Sequence, residues 1–288
     1  MPALIDLRRR IKSVRNTQQI TRAMKTVATA KFKQAQRNVL SGRPYWHNIP
    51  FLLQQIITSA DRSCHPLLAK RKEKRILVLV MTSDKGLCGA FNANLLGETR
   101  QFLEEKSEHA DIRLILIGKK ACQFFKRQNY PVIDRVPDDI HKLGESDLNR
   151  IAGDVIRDYT HQKSDAVYFI YNEFKSILRP RITKAKILPV EPPEKQEAVK
   201  AERDWIPESA SFFKTILPFY IKDQIKHFYH ESIAAEQAAR MMAMDNATKN
   251  AQDLIKDLTL VMNKIRQASI TTELLEIMSA VDALKKDR

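Results

Sequence analysis

The longest stretch of this chain without a helix breaker runs from Phe219 to Lys285; no proline follows Pro218 and no glycine follows Gly153. Within it, Ile255, Leu258, Met262 and Ile265 step by 3, 4 and 3, and Ile270, Leu274, Ile277, Val281 and Leu284 step by 4, 3, 4 and 3. An average near 3.5 is coiled-coil spacing. Ahead of these runs the surface is small: Ala234, Ala235, Ala238, Ala239, Ala243, Ala247 and Ala251. Small side chains let a second helix approach closely while helix propensity stays high. At ~1.5 Å per residue the predicted helix is ~100 Å long. A helix of that length cannot bury itself in one domain, so the pattern predicts a rod with partners along its length. By pattern alone a long surface helix or a plain oligomerising coiled coil fits equally.

The other end of the chain repeats the theme. Leu4, Leu7, Ile11 and Val14 step by 3, 4 and 3, and the same frame continues through Gln18, Thr21, Lys25, Ala28, Phe32, Ala35 and Val39. A second stripe, Ile20, Met24 and Val27, widens the apolar face. The reading is a long helix whose seam turns polar in its middle. Gly42 and Pro44 predict a bend or break, with helix resuming over Phe51–Thr58.

Between the two helices the period changes. Arg75–Ser83, Ile112–Ile117, Asp165–Phe174 and Ile182–Leu188 read as strands, with a short one at Val132–Asp134. Ala93–Glu105, Lys119–Arg127 and Asp147–His161 read as helices, the last capped by Ser146 or Asp147. Strands alternating with helices predict a mostly parallel sheet covered on both faces. The expected fold is α/β plus coiled coil: long N- and C-terminal helices, able to pair as an antiparallel coiled coil, with a Rossmann-like α/β domain inserted between them. The expected organisation is residues 1–59 for the first helix, 74–190 for the α/β domain, 191–218 for a charged linker and 219–288 for the last helix.

Charge sharpens this picture. The net charge of +15 is uneven: +10 over residues 1–43, +5 over 44–218 and zero over 219–288. The first helix should therefore meet an acidic partner. Arg8, Arg9, Arg10, Lys12 and Arg15 suggest nucleic acid at first sight. Yet these residues share the helix with the apolar seam, and few aromatics interleave with them for base stacking. A solvated basic face is the plainer reading.

Candidate chemistry is sparse. Cys64, Cys88 and Cys122 form no CxxC or zinc spacing and are expected as buried or free thiols. The seven histidines include no HxxxH or HExxH pair. The loop Ser83-Asp84-Lys85-Gly86-Leu87-Cys88-Gly89-Ala90-Phe91-Asn92 is neither GxxxxGK[ST] nor GxGxxG, and Gly118-Lys119-Lys120 lacks the upstream glycine of a P-loop. A tight strand-to-helix turn using two glycines is expected there instead. Asp138, Asp139 and the Glu191–Glu197 stretch read as loop. No catalytic residue, cofactor or metal is expected. No apolar run approaches a membrane span. The basic amphipathic N-terminus imitates a transit peptide, but its periodicity continues past residue 30, so it reads as mature structure.

Three stretches carry a resemblance. RRRIKSVRNTQQITRAMKTVATAK near the start, the loop TSDKGLCGAFN, and EQAARMMAMDNATKNAQDLIKDLTLVMNKIRQASITTELLEIMSA near the end together resemble the γ subunit of F-type ATP synthase over essentially the whole chain. Ala90 stands where a third glycine is common in that family. The resemblance implies a central-stalk rotor, a non-catalytic subunit whose helices enter a ring of three α and three β subunits, while the α/β domain meets the ε subunit and the c ring. Proton flow turns the rotor, and ATP is made or hydrolysed on β. It implies one copy per complex, membrane contact only through the complex, no nucleic acid, and the cytoplasmic face of a bacterial inner membrane. Carried over residue by residue, it points to Met24 beside Lys25 and to Arg240 for coupling efficiency. Arg266, Gln267, Thr271 and Glu273 match polar positions expected to contact β; by their charge, Arg8, Arg9, Arg10 and Lys12 are candidate basic contacts for acidic loops of β. Leu275 departs from the polar residue often found there. The chain lacks a cysteine-paired insertion like that of chloroplast γ subunits. A coiled-coil adaptor with a Rossmann-like ligand domain is the alternative from pattern alone.

Overall fold

The computed structural model describes residues 2–59, 65–136, 139–176, 180–191 and 209–286. Cys64, Asp138 and most of the expected linker, 192–208, lie outside them. So do the side chains of Val281 and Leu284. The chain forms two compact units, one of residues 29–240 and one of residues 1–28 with 241–288. Two helices contribute to both: α1, Pro2–Ser59, and α5, Ser209–Lys286.

The larger unit is built on five strands: β1 (Arg75–Met81), β2 (Asp111–Ile117), β3 (Val132–Val136), β4 (Ala166–Glu173) and β5 (Arg181–Leu188). Their order is β3-β2-β1-β4-β5, parallel except for antiparallel β5 at the edge. The connections use α2 (Phe91–Ser107), α3 (Lys119–Phe125) and α4 (Glu145–Thr160). Strand β1 reads as a continuous apolar run because both its faces are covered. Ile76, Val78 and Val80 pack with Leu95, Phe102 and Leu103 of α2 and Phe125 of α3. Leu77, Leu79 and Met81 face the opposite side, with Ile151, Val155 and Tyr159 of α4.

That second face carries a departure from expectation. Its cover is completed by Phe213, Leu217, Ile221, Ile225 and Phe228 of α5. The last helix therefore begins at Ser209, ahead of Phe219, and Pro218 lies inside it. An interior proline costs about 3 kcal/mol. Each large apolar side chain buried there contributes ~1.5–3 kcal/mol. Phe213, Leu217 and Ile221 are all fully buried, so the packing outweighs the break. The expected linker gives up residues 209–218 to this helix, and the compact unit reaches beyond 74–190.

Gly42 and Pro44 do not break α1, which runs through both. Gly42 serves packing instead: a Cβ there would overlap the ring of Trp46. Trp46, Phe32, Ala35 and Val39 of α1 form a third core cluster with Phe91, Phe174, Ala234, Ala235 and Ala238. The alanines of α5 thus do admit a close neighbour.

Smaller corrections follow local chemistry. Helix α4 starts at Glu145 after Gly144, and Asp147 acts from its third position, its Oδ2 accepting the Gly144 N–H at 2.9 Å. In the loop after β1 the left-handed residues are Leu87 (φ 65°) and Gly89 (φ 60°), while Gly86 has open space around it. Gly118 (φ 96°) is needed because a Cβ would strike the carbonyl oxygen of Thr82. Among the described residues, Cys88 and Cys122 carry free thiols, and no helix is long and apolar enough to cross a membrane.

Glu73 ties the sheet to α2. Its carboxylate receives Lys106 Nζ at 2.8 Å, Lys186 Nζ at 3.1 Å and the Tyr168 hydroxyl at 2.9 Å. Burial pushes this carboxyl up, but the hydrogen bonds from Lys106, Lys186 and Tyr168 outweigh it and bring it from 4.5 down to about 2. A depressed folded value stabilises fully above the unfolded value and is lost as pH falls through the folded one. Glu73→Gln should therefore lower the Tm at neutral pH. Its deficit against the parent should shrink as pH falls from 4.5 to about 2; a deficit independent of pH would refute this account.

Candidate functional site

The smaller unit is a helix pair. Lys25 Nζ of α1 lies 2.6 Å from Asp245 Oδ1 of α5, and the hydroxyls of Thr21 and Thr248 lie 2.8 Å apart. Numbers fall on one helix as they rise on the other, so the pair is antiparallel. Among the described residues of this unit, Leu4, Ile11, Thr21 and Ala28 are the buried positions of α1, and Met244, Thr248 and Ala251 those of α5. The seam turns polar where the sequence loses its apolar residues. The two threonine hydroxyls there also reach carbonyls of their own helices, Gln18 O at 3.0 Å and Met244 O at 2.7 Å, which makes burying them inexpensive. Beside the seam is a groove of about 390 Å³ lined by Arg15, Gln18, Gln19, Arg22, Gln252, Ile255 and Lys256. No carboxylate lines it.

The expected contact residues divide sharply. Met24 and Lys25 are half-buried, and Lys25 meets the partner helix at Asp245. Hydrogen bonds from Lys25 and then Lys249 hold the Asp245 carboxyl below its ordinary range. Arg8, Arg9, Arg10 and Lys12 are exposed on α1. Arg266, Gln267, Thr271 and Glu273 are exposed on α5, where Thr271 donates only to the Gln267 carbonyl one turn back, at 3.0 Å. Every residue from 271 to 279 is exposed, and among them and their neighbours Ile270, Leu274, Leu275, Ile277 and Met278 are large and apolar. Apolar surface in such a run marks a surface that another molecule covers.

Arg240 stands apart. It belongs to the larger unit, and its side chain is only 11% exposed. Its Nη1 lies 2.6 Å from Glu236 Oε1, and its Nη2 donates to the carbonyls of Lys85 (3.1 Å) and Gly86 (3.3 Å). Glu236 Oε2 is in turn 3.0 Å from His141 Nε2, and the Gln237 amide donates to it at 3.2 Å. Burial pushes the Glu236 carboxyl up; His141 and Arg240 beside it prevail and hold it below the usual carboxylate range. Sequence reasoning missed Glu236, His141 and Asp245. The available signal was a carboxylate four residues before Arg240 in an alanine-rich stretch; His141 has no signal in sequence.

Comparison with known proteins places this architecture. Residues 3–284 match the family model described as ATP synthase. The chain is 43% identical over 286 residues to the ATP synthase gamma chain of Pelotomaculum thermopropionicum, covering 99% of this chain and 100% of that one. It is 39% identical over 292 residues to the ATP synthase gamma chain of Chlorobaculum parvum, again covering 99% and 100%. Among solved structures, its fold is similar to a chain in the rotor of the Euglena gracilis mitochondrial ATP synthase, with a TM-score of 0.63 and 19% identity over 93% of this chain and 99% of that one. It is also similar to a chain in the central stalk and c-ring structure of the Tetrahymena thermophila enzyme, with a TM-score of 0.58 and 23% identity over 79% and 99%.

The seam itself is testable in the isolated chain. Thr248→Val keeps the shape and removes one hydroxyl, and should cost about 1 kcal/mol. Ala28→Leu forces a large side chain into a position that is 1% exposed and should cost ~1–3 kcal/mol. Urea unfolding followed by helix content reads both. A neutral Ala28→Leu would mean that the seam is not closely packed at this point.

Proposed function

The chain belongs to the ATP synthase gamma chain family, and we propose from that premise that its paired helices are the turning shaft of the central stalk. As the rotor subunit it couples proton flow through the membrane sector to ATP synthesis or hydrolysis. The catalytic sites belong to other subunits, in a ring of three α and three β chains around the shaft. The α/β domain stands outside that ring, against ε and the c ring, at the cytoplasmic face of a bacterial inner membrane. One copy serves each complex.

The observation that carries this reading is the far end of α5. A single helix bearing Ile270, Leu274, Leu275, Ile277 and Met278 exposed is costly alone in water and suits a sleeve that covers it. Apolar contact without hydrogen bonds is non-directional, so it permits turning, which a polar lock in one register would not. Arg266, Gln267, Thr271 and Glu273 project from the same stretch and are the polar contacts offered to β. Arg8, Arg9, Arg10 and Lys12 on α1 offer charge to acidic loops of the ring. Pairs that stay partly hydrated are worth ~0.2–1 kcal/mol each, weak enough to form and release at every step. Met24 and Lys25 act one level deeper: by packing and by the Lys25–Asp245 contact they keep the two helices turning as one body.

The test is assembly. Mixed with α and β chains, this chain should yield a complex of three, three and one with ATPase activity. Arg266→Ala with Gln267→Ala should lower that activity about tenfold, the effect of losing ~1.4 kcal/mol of contact. The stability of the isolated double variant should stay within ~0.5 kcal/mol, since both side chains are exposed. A chain that ignores α and β and runs as a homodimer would instead favour the coiled-coil adaptor.

A further inference from the structure

The polar cluster around Glu236 closes on itself. Glu236 of α5 meets Arg240 one turn on, at 2.6 Å. Arg240 reaches the loop after β1 through the Lys85 and Gly86 carbonyls. In that loop Asp84 accepts the Lys119 N–H at the start of α3 (3.0 Å) and the Ile140 N–H (2.7 Å). Ile140 opens the short 3-10 turn Ile140–Lys142, whose His141 returns to Glu236 at 3.0 Å. The Tyr229 hydroxyl of α5 also donates to the Ile140 carbonyl, at 2.7 Å. Two loops at the ends of β1 and β3 are thus pinned to one another and, at three points, to a single face of α5.

The placement of this circuit is informative. The Glu236 side chain is 1% exposed. A buried carboxylate costs several kcal/mol unless it is well paired, and an apolar side chain of the same size would usually stabilise a helix face at least as well. Ala234, Ala235 and Ala238 beside it are buried, as are Ser232 and Gln237. An apolar contact resists separation but resists sliding and rotation poorly, because it has no direction. Here the hydrogen bonds from Tyr229 to the Ile140 carbonyl and from Arg240 to the Lys85 and Gly86 carbonyls set direction, and Glu236 holds Arg240 and His141 beside them at short range. The circuit also sits at the last turns of α5 that belong to the larger unit, which ends at Arg240.

We propose that Glu236, gripped by His141 and Arg240, is a positioning residue: a latch that locks the rotation of α5 against the α/β domain where the helix leaves it. Torque then enters the shaft through this circuit, and Arg240 acts inside the chain, through the loop at Lys85–Gly86. The apolar core under Phe213–Phe228 holds the helix on the sheet; the latch keeps it from turning there. This inference rests on the rotor reading for its consequence, but not for its structural part.

The experiment separates the two. In the isolated chain, Glu236→Gln keeps size and removes the charge. Amide exchange at Ile140 and across the loop of residues 84–90 should then rise about tenfold, while exchange in β1 and β4 stays at the parental rate. In the complete membrane-bound enzyme, the ratio of protons pumped to ATP hydrolysed should fall severalfold for Glu236→Gln and for Arg240→Lys, the second variant keeping the charge but losing the fork that spans Glu236 and the loop. Glu73→Gln is the control: it breaks a network that does not touch α5, so it should lower Tm with the pumping ratio kept. If Glu236→Gln speeds loop exchange but leaves the ratio at the parental value, the latch role is overturned and the cluster is structural. If Glu73→Gln lowers the ratio as much, the effect is loss of stability and the proposal fails. If the parent chain assembles no pumping enzyme at all, the rotor reading falls, and unchanged loop exchange would overturn the circuit separately.

Discussion

A helix of 78 residues must cover one face for almost every turn, and the rest of the structure follows from that constraint. Isolated helices are marginal in water, and most helical stability in proteins comes from burying an apolar face. Helix α5 meets the requirement with a different neighbour in each segment. From Phe213 to Phe228 it lies on the sheet with large side chains. At Ala234, Ala235 and Ala238 the large side chains give way to small ones, and α1 comes close with Phe32, Ala35 and Val39. At Met244, Thr248 and Ala251 it is the second strand of a helix pair. From residue 271 to 279 this chain supplies no cover. Read along the helix, side-chain size is a record of what lies beside it.

Polar groups are used where direction matters and apolar ones where only adhesion does. The sheet is held by Val, Leu, Ile and Phe on both faces. The points at which elements must keep an angle are marked by charge: Arg75 with Asp165 at 2.9 Å, Arg113 with Asp158 at 2.7 Å, and Glu236 with His141 and Arg240. The same division appears in the rotor reading. A shaft needs fixed joints where torque enters and slippery contact where it turns. The buried circuit at Glu236 answers the first need, and the exposed apolar end of α5 answers the second.

Periodicity carried most of the fold. Spacings of 3 and 4 marked both long helices, and short apolar runs marked the strands, with the short one at Val132–Asp134 extending to Val136 in the structure. The errors fell where a local rule met a larger opposing term. Pro218 forbids helix locally, yet the burial of Phe213 and Leu217 exceeds its cost. Gly42 reads as a breaker, yet its missing Cβ makes room for Trp46. Ser146 and Asp147 both suit a cap by position, yet both lie inside the helix, from which the Asp147 carboxylate reaches back to Gly144.

Arg266, Gln267, Thr271 and Glu273 were singled out by the family resemblance and Arg8 to Lys12 by their charge; the structure adds that all of the polar ones are exposed on their helices. The Glu236 circuit was not legible in the sequence. Its members are drawn from three separate segments, 84–86, 140–141 and the 229, 236 and 240 positions of α5, and no period links one segment to another. Which segments are helix or strand, and which helix faces are apolar, is written in local order along the chain, because those depend on neighbours within a few residues. Which buried carboxylate is paired, which proline is tolerated and which cation turns inward is settled in the folded protein, because each depends on groups brought together from distant parts of the chain.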